Sequence, residues 1–109
     1  MFEALFGSAG AERVLLYLEN YEEGYASEIA RTFQVSLVSV QHQLNKFETA
    51  GVLVSRSVGK TRVFTWNPRF ILLEPLRALL RAALAEVPAE DVRRFYRNRT
   101  RPRRAGKRL

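Results

Sequence analysis

The residues able to do chemistry are few, and their spacing excludes more than it permits. The chain has no cysteine, which removes disulfides, thiolate metal sites and cysteine nucleophiles. His42 is the sole histidine, and one imidazole makes neither a His-rich metal site nor a relay pair. As a polar group on a solvated face it needs no further role. Glu22 and Glu23 are adjacent in a predicted loop, where they face apart. No glycine-rich phosphate loop and no Ser/His/Asp set is present. The expectation is a chain that is not an enzyme and holds no cofactor or metal. What remains is a series after Ser36: Leu37, Val38, Ser39, Gln41, His42 and Asn45. On one helix face these suit base edges: the Gln41 amide matches adenine, Ser39 donates or accepts, and Leu37 or Val38 meets a thymine methyl. That face has no arginine, so the bidentate guanine contact is missing.

A second series is cationic. Arg56, Lys60 and Arg62 fall in a predicted hairpin, where each is either a phosphate contact that releases counterions or a solubilising charge. The chain of 109 residues carries a net charge of +7, unevenly spread. Residues 1–92 hold nine basic and eleven acidic side chains, and residues 93–109 hold nine basic and none acidic. A slightly acidic domain therefore precedes a strongly basic extension, so the overall basicity says little about the domain's own partners. With 47% hydrophobic residues the chain buries one core. No apolar run approaches the roughly 20 residues that span a membrane. The first residues lack a basic start and long apolar stretch, so no signal peptide is expected and a cytoplasmic location is.

The elements that must position these residues follow from periodicity. Val14, Leu15 and Leu18 recur at helical spacing after Ser8, an N-cap. Gly24 breaks that pattern. A short helix spans roughly residues 26–33, with Ile29, Ala30 and Phe33 on one face. Ser36 caps a third helix over roughly 37–50, whose inward stripe is Val40, Leu44 and Phe47, and Gly51 is its C′ residue. The period then becomes two. Residues 52–54 and 62–66 form a hairpin with its tip near Gly59; Phe64 and Trp66 share one face, Val63 and Thr65 the other. Trp66 in that position belongs to the core in preference to stacking on a base. A leucine-rich helix covers roughly 69–86; it starts or kinks at Pro75 and stops at Pro88. Residues 89–98 add an amphipathic turn or two, and the remainder is predicted to be disordered in isolation.

The segment Ser27-Glu28-Ile29-Ala30-Arg31 and the run from Ser36 to Leu44 resemble a helix-turn-helix. Leu44-Asn45-Lys46-Phe47-Glu48-Thr49-Ala50-Gly51-Val52-Leu53-Val54 resembles a helix-to-wing junction, and Phe64-Thr65-Trp66-Asn67-Pro68 the end of a wing. With Leu5-Phe6-Gly7-Ser8 ahead of the first helix, residues 5–85 resemble the ArsR/MarR type of winged helix-turn-helix transcription regulators. The resemblance implies a mainly α fold with a small β-hairpin and a C-terminal dimerisation helix. It implies a dimeric repressor that reads double-stranded DNA, with Leu37, Ser39, Gln41 and His42 reaching bases. Val38 and Asn45 share that face. Ser36, Lys46, Arg56, Lys60, Thr61 and Arg62 are the candidate backbone or wing contacts. Relatives that sense metals use Cys, His and carboxylate clusters, which this chain does not have; the effector is left open.

The expected division is a domain over 1–87 and a basic extension over 88–109. Leu73, Leu76, Leu80 and Leu84, with Leu5 and Phe6, either build a two-fold dimer or cover the domain's own core. Arg97, Arg99, Arg101, Arg103 and Arg104 are candidate phosphate contacts of the extension, which alternatively binds RNA or only raises solubility. Two other functions compete: a winged-helix module that binds a protein, suggested by Leu37 and Val38, and an RNA-associated basic protein.

Overall fold

The computed structural model describes residues 1–96; the five tail arginines named above lie outside the described residues. Helix α1 (Glu3–Phe6) is a single turn that ends at left-handed Gly7. Helix α2 (Ala9–Tyr21) starts at Ser8, whose Oγ accepts from the Ala11 N–H at 3.0 Å. The cap satisfies one of the donors that a helix start leaves unpaired. Every residue from Val14 to Asn20 is buried, so α2 is the central helix on which the others pack.

The sheet has one strand more than the sequence pattern suggests. Strand β1 (Glu23–Gly24) pairs antiparallel with β3 (Thr61–Trp66), which also pairs with β2 (Leu53–Val58), giving the order β1-β3-β2. Gly24 is therefore a strand residue and not merely a helix breaker. It is buried, and a Cβ there would lie 2.6 Å from Tyr17 Cε1. Helix α2 ends instead at Glu22, in the left-handed conformation.

Helix α3 (Ala26–Phe33) and helix α4 (Leu37–Thr49) are joined by Gln34, Val35 and Ser36. Ile29 and Ala30 of α3 and Val40 and Leu44 of α4 are buried against Leu15, Leu16 and Leu18. Phe47 is half-buried, completing the expected stripe. The hairpin turns through Gly59-Lys60, with Gly59 at φ +64°, a value that L side chains rarely adopt.

Helix α5 (Leu73–Ala85) is shorter than its leucine pattern suggests. Asn67 holds the chain in a turn first: its Nδ2 donates to Gly51 O at 2.9 Å and its Oδ1 accepts from Arg69 N at 3.0 Å. Pro75 then falls in the first turn of α5, where its missing N–H removes no intrahelical bond. Leu80 and Ala83 of this helix are buried.

The packing also continues past residue 87. Helix α6 (Ala89–Asp91) leads into a π-helical segment, Val92–Tyr96. Asn20 Nδ2 donates to the Tyr96 carbonyl at 2.9 Å, and the Tyr21 hydroxyl donates to the Phe95 carbonyl. The Phe95 and Tyr96 rings lie 5.0 and 6.0 Å from Phe33. The first nine residues of the expected extension are thus part of the folded unit, clasped to α2 and α3.

Candidate functional site

Helix α4 is held from below by Val40 and Leu44 and from its start by Ser36, whose Oγ accepts from the Ser39 N–H at 3.2 Å. That cap leaves the Ser36 hydroxyl proton free to donate outward. A Cβ at Gly10 would lie 3.5 Å from Gln43 Cγ, so Gln43 of α4 packs over α2 where Gly10 carries no side chain. Leu37, Val38, Ser39, Gln41, His42 and Asn45 are all exposed. At 100° per residue they divide into rows. Leu37, Gln41 and Asn45 form an i, i+4, i+8 row; Val38, His42 and Lys46 form the next row outward.

The first row faces the hairpin. Leu37, Gln41 and Asn45 line a cleft of about 520 Å³ with Lys60, Thr61 and Arg62 opposite and Tyr25, Ala26 and Ser27 of the α3 start at one end. Phe64 and Leu44 floor it. This brings together residues drawn from both sequence series. Tyr25, Ala26 and Ser27 were not foreseen as its lining, because only the tertiary fold carries the start of α3 to the hairpin.

The hairpin cations differ in how free they are. Arg62 shares a sheet face with Phe64 and Trp66; its Nη1 donates to Ser55 Oγ at 2.8 Å and lies 4.0 Å from Glu48. Arg56 does not line the cleft. It points to the other sheet face and pairs with Glu23 at 3.1 Å, across β3 above Val63 and Thr65. Its charge is locally balanced, which weakens it as a phosphate contact. Lys60 is exposed and has no carboxylate partner among the described residues. Lys46 lies behind the row, its Nζ 5.3 Å from the Phe47 ring. Trp66 is buried and packs in the core, with the Arg77 guanidinium 5.7 Å over its ring.

An ion-pair hub anchors α5 to the C-terminal end of α2. Arg77 Nε donates to Glu19 Oε1 at 2.7 Å, and its Nη2 reaches both Glu22 oxygens at 3.2 Å. Arg81 adds a contact to Glu19 at 3.4 Å. The hydrogen bond it donates to Glu19 holds the Arg77 guanidinium above its ordinary pKa. Glu19 stands in an otherwise apolar stretch of α2, and Arg77 and Arg81 are one turn apart; that pattern was a signal available in the sequence.

The four expected dimer leucines of α5 divide. Leu80 is fully enclosed by its own chain, while Leu73, Leu76 and Leu84 are partly covered. The surface row is Leu5, Ile71, Leu72 and Leu79. Leu5, Leu72 and Leu79 of this row, with Phe6, Phe70 and Leu76, line an apolar groove of about 440 Å³.

A helix pair, a projecting helix and a hairpin flanking one cleft is the arrangement that decides the architecture. The chain has the winged-helix fold. Solved structures of other proteins share it. The AntR antimony-specific transcriptional repressor aligns with a TM-score of 0.61 at 13% identity, over 75% of this chain and 69% of the other. The adhesin competence repressor AdcR from Streptococcus pyogenes aligns with a TM-score of 0.59 at 12% identity, over 90% and 76%. The YusO protein from Bacillus subtilis aligns with a TM-score of 0.55 at 18% identity, over 78% and 66%. No protein-family profile and no curated sequence matches the chain. In winged-helix terms β2 and β3 are the wing. Among the described residues no helix is long and apolar enough to cross a membrane, and no cluster of three or more metal-ligating side chains occurs.

Proposed function

We propose that this chain is a sequence-specific, double-stranded DNA-binding transcriptional regulator that acts as a dimeric repressor. The observation that carries the reading is the shared cleft. The exposed row Leu37, Gln41 and Asn45 and the wing residues Lys60, Thr61 and Arg62 face the same space. A helix with short polar side chains suits the major groove, and a neighbouring cationic hairpin suits the backbone or minor groove. AntR and AdcR, two of the proteins that share this fold, are repressors, which supports regulation as the output.

The dimer is supported by the apolar row Leu5, Ile71, Leu72 and Leu79. A second copy seated on α1 and α5 removes this surface from water and sets two α4 helices against successive major grooves, so the site is expected to be a palindrome. The basic residues beyond Tyr96 add sequence-independent affinity. Exposed Val38 favours one second reading, a protein-binding module.

Fluorescence anisotropy of the full chain on its own upstream DNA, with excess random competitor, tests the proposal. Binding that resists competitor and weakens for Gln41→Ala supports it. Binding lost to any polyanion, with Gln41→Ala unchanged, refutes it. Sedimentation velocity checks the dimer, which a monomer at micromolar concentration overturns.

A further inference from the structure

The exposed arc of α4 carries information about which bases it reads, and we infer that each half-site centres on A·T pairs, recognised through adenine edges and thymine methyl groups with no guanine anchor. The inference rests on the DNA-binding reading above and narrows it.

Guanine offers two acceptors to the major groove, N7 and O6, and is read strongly by two donors held side by side. No arginine or lysine lies between Leu37 and Asn45. Lys46 is the first cation of the helix, and it lies beside its neighbour's ring at 5.3 Å. The nearest guanidinium in the cleft is that of Arg62, engaged by Ser55 and flanked by Glu48. Cytosine presents an amine that suits a carboxylate. No acid lies between Leu37 and Phe47, and Glu48 accepts a hydrogen bond from Ser55 Oγ. Strong readers of a G·C pair are therefore missing from the arc in both orientations.

Readers of A·T pairs are present in both. Gln41 and Asn45 are exposed, one turn apart on the row that faces the cleft. Each amide sets a donor beside an acceptor, the complement of adenine N7 and N6. Leu37 leads that row at 43% exposure, and Val38 beside it is 71% exposed. Two branched apolar side chains on the first turn of a projecting helix gain nothing from water. Against a thymine methyl both partners lose hydrated surface.

The test uses the full chain. Bound duplexes are selected from a random-sequence pool at fixed salt, and the selected duplex is rebuilt one position at a time. Deoxyuridine replaces thymidine to remove the methyl, and 7-deazaadenine replaces adenine to remove N7. The expected motif has an A·T core. Affinity falls about fourfold at one or two uracil positions, and about fivefold at one or two deaza positions. Leu37→Ala or Val38→Ala abolishes a uracil effect, and Gln41→Ala or Asn45→Ala a deaza effect, since these side chains are exposed and their loss leaves the core intact. A motif with invariant G·C pairs at its core, indifferent to uracil and deazaadenine, overturns this inference and leaves the DNA-binding reading standing. No enriched motif at all overturns both.

Discussion

Replacing Arg77 by methionine tests the packing of α5 on α2. The Glu19 side chain is only 4% exposed and that of Arg77 20%, at 2.7 Å from each other. Arg77→Met keeps the apolar stem near Trp66 but removes the charge that offsets a buried carboxylate. Breaking a buried pair by deleting one partner costs about 3–5 kcal/mol. Arg81, at 3.4 Å and 58% exposed, remains to compensate in part, so the lower end of that range, about 3 kcal/mol, is expected. For a chain of this size that corresponds to a fall in Tm of about 12 °C. Arg81→Met is expected to cost under about 1 kcal/mol, because the Arg81 side chain is largely solvated and Arg77 still pairs with Glu19. Replacing both partners, Glu19→Gln with Arg77→Met, recovers most of the loss, since no uncompensated charge is left buried. Circular dichroism during urea and thermal unfolding, at several protein concentrations, measures all four chains. If Arg77→Met costs no more than Arg81→Met, Glu19 is hydrated in the folded state and the reasoning fails.

Ending the chain after Tyr96 is expected to preserve the fold and remove seven basic side chains, lowering the salt slope of DNA binding by up to about six units per chain; an unchanged slope refutes a role for these residues. Ending it after Val92 instead removes Phe95 and Tyr96 from α2 and α3 and is expected to unfold the chain at moderate temperature, seen as loss of near-ultraviolet dichroism. Burial raises the Tyr17 phenol, with Glu28 beside it adding to the effect, and burial likewise raises Tyr96. Folded values above the unfolded value of about 10 mean that their contribution is complete below about pH 10 and is lost as pH rises through the folded values; tyrosinate absorbance should therefore appear for Tyr17 only with unfolding and for Tyr96 only as the 92–96 segment opens, and four tyrosines titrating together in a folded chain contradicts this. Gly24→Ala places a methyl 2.6 Å from Tyr17 and is expected to cost about 1–3 kcal/mol in urea unfolding; a neutral effect shows that the β1 strand shifts freely.

What was legible in the sequence is what local physics sets. The α3–α4 pair, the Ser36 cap and the turn at Gly59 each follow from spacing within a dozen residues, and the structure has them where periodicity places them. The exposure of Leu37, Val38, Ser39, Gln41, His42 and Asn45 follows from the buried stripe opposite. Strand β1 was not legible, because two residues carry no period and their partner is some forty positions away. The cleft around Lys60 was half legible: its two walls could be named, but not that Arg56 turns from it toward Glu23. The pattern leaves the start of α5 open between 69 and Pro75, because the apolar residues at 70–73 continue it while the Asn67 turn interrupts the backbone; the start lies at Leu73. Pro88 read as the end of the domain, but the amphipathic turns expected over 89–98 carry, in Phe95 and Tyr96, the aromatics through which packing continues.

The clasp at Tyr96 has a consequence for the order in which the molecule assembles. It joins Asn20 to Tyr96 across 76 positions and Tyr21 to Phe95 across 74, so α3, α4 and the wing all lie inside one long loop. Contacts within α3–α4 and within the hairpin need only short closures, whereas the clasp forms after the two ends of that loop meet. Amide protection is therefore expected first in the helix pair and the wing and last at residues 92–96, with exchange under native conditions beginning at the clasp. The surface that meets the cleft is thus complete before the chain is latched, and the latch is the part of the fold that opens first.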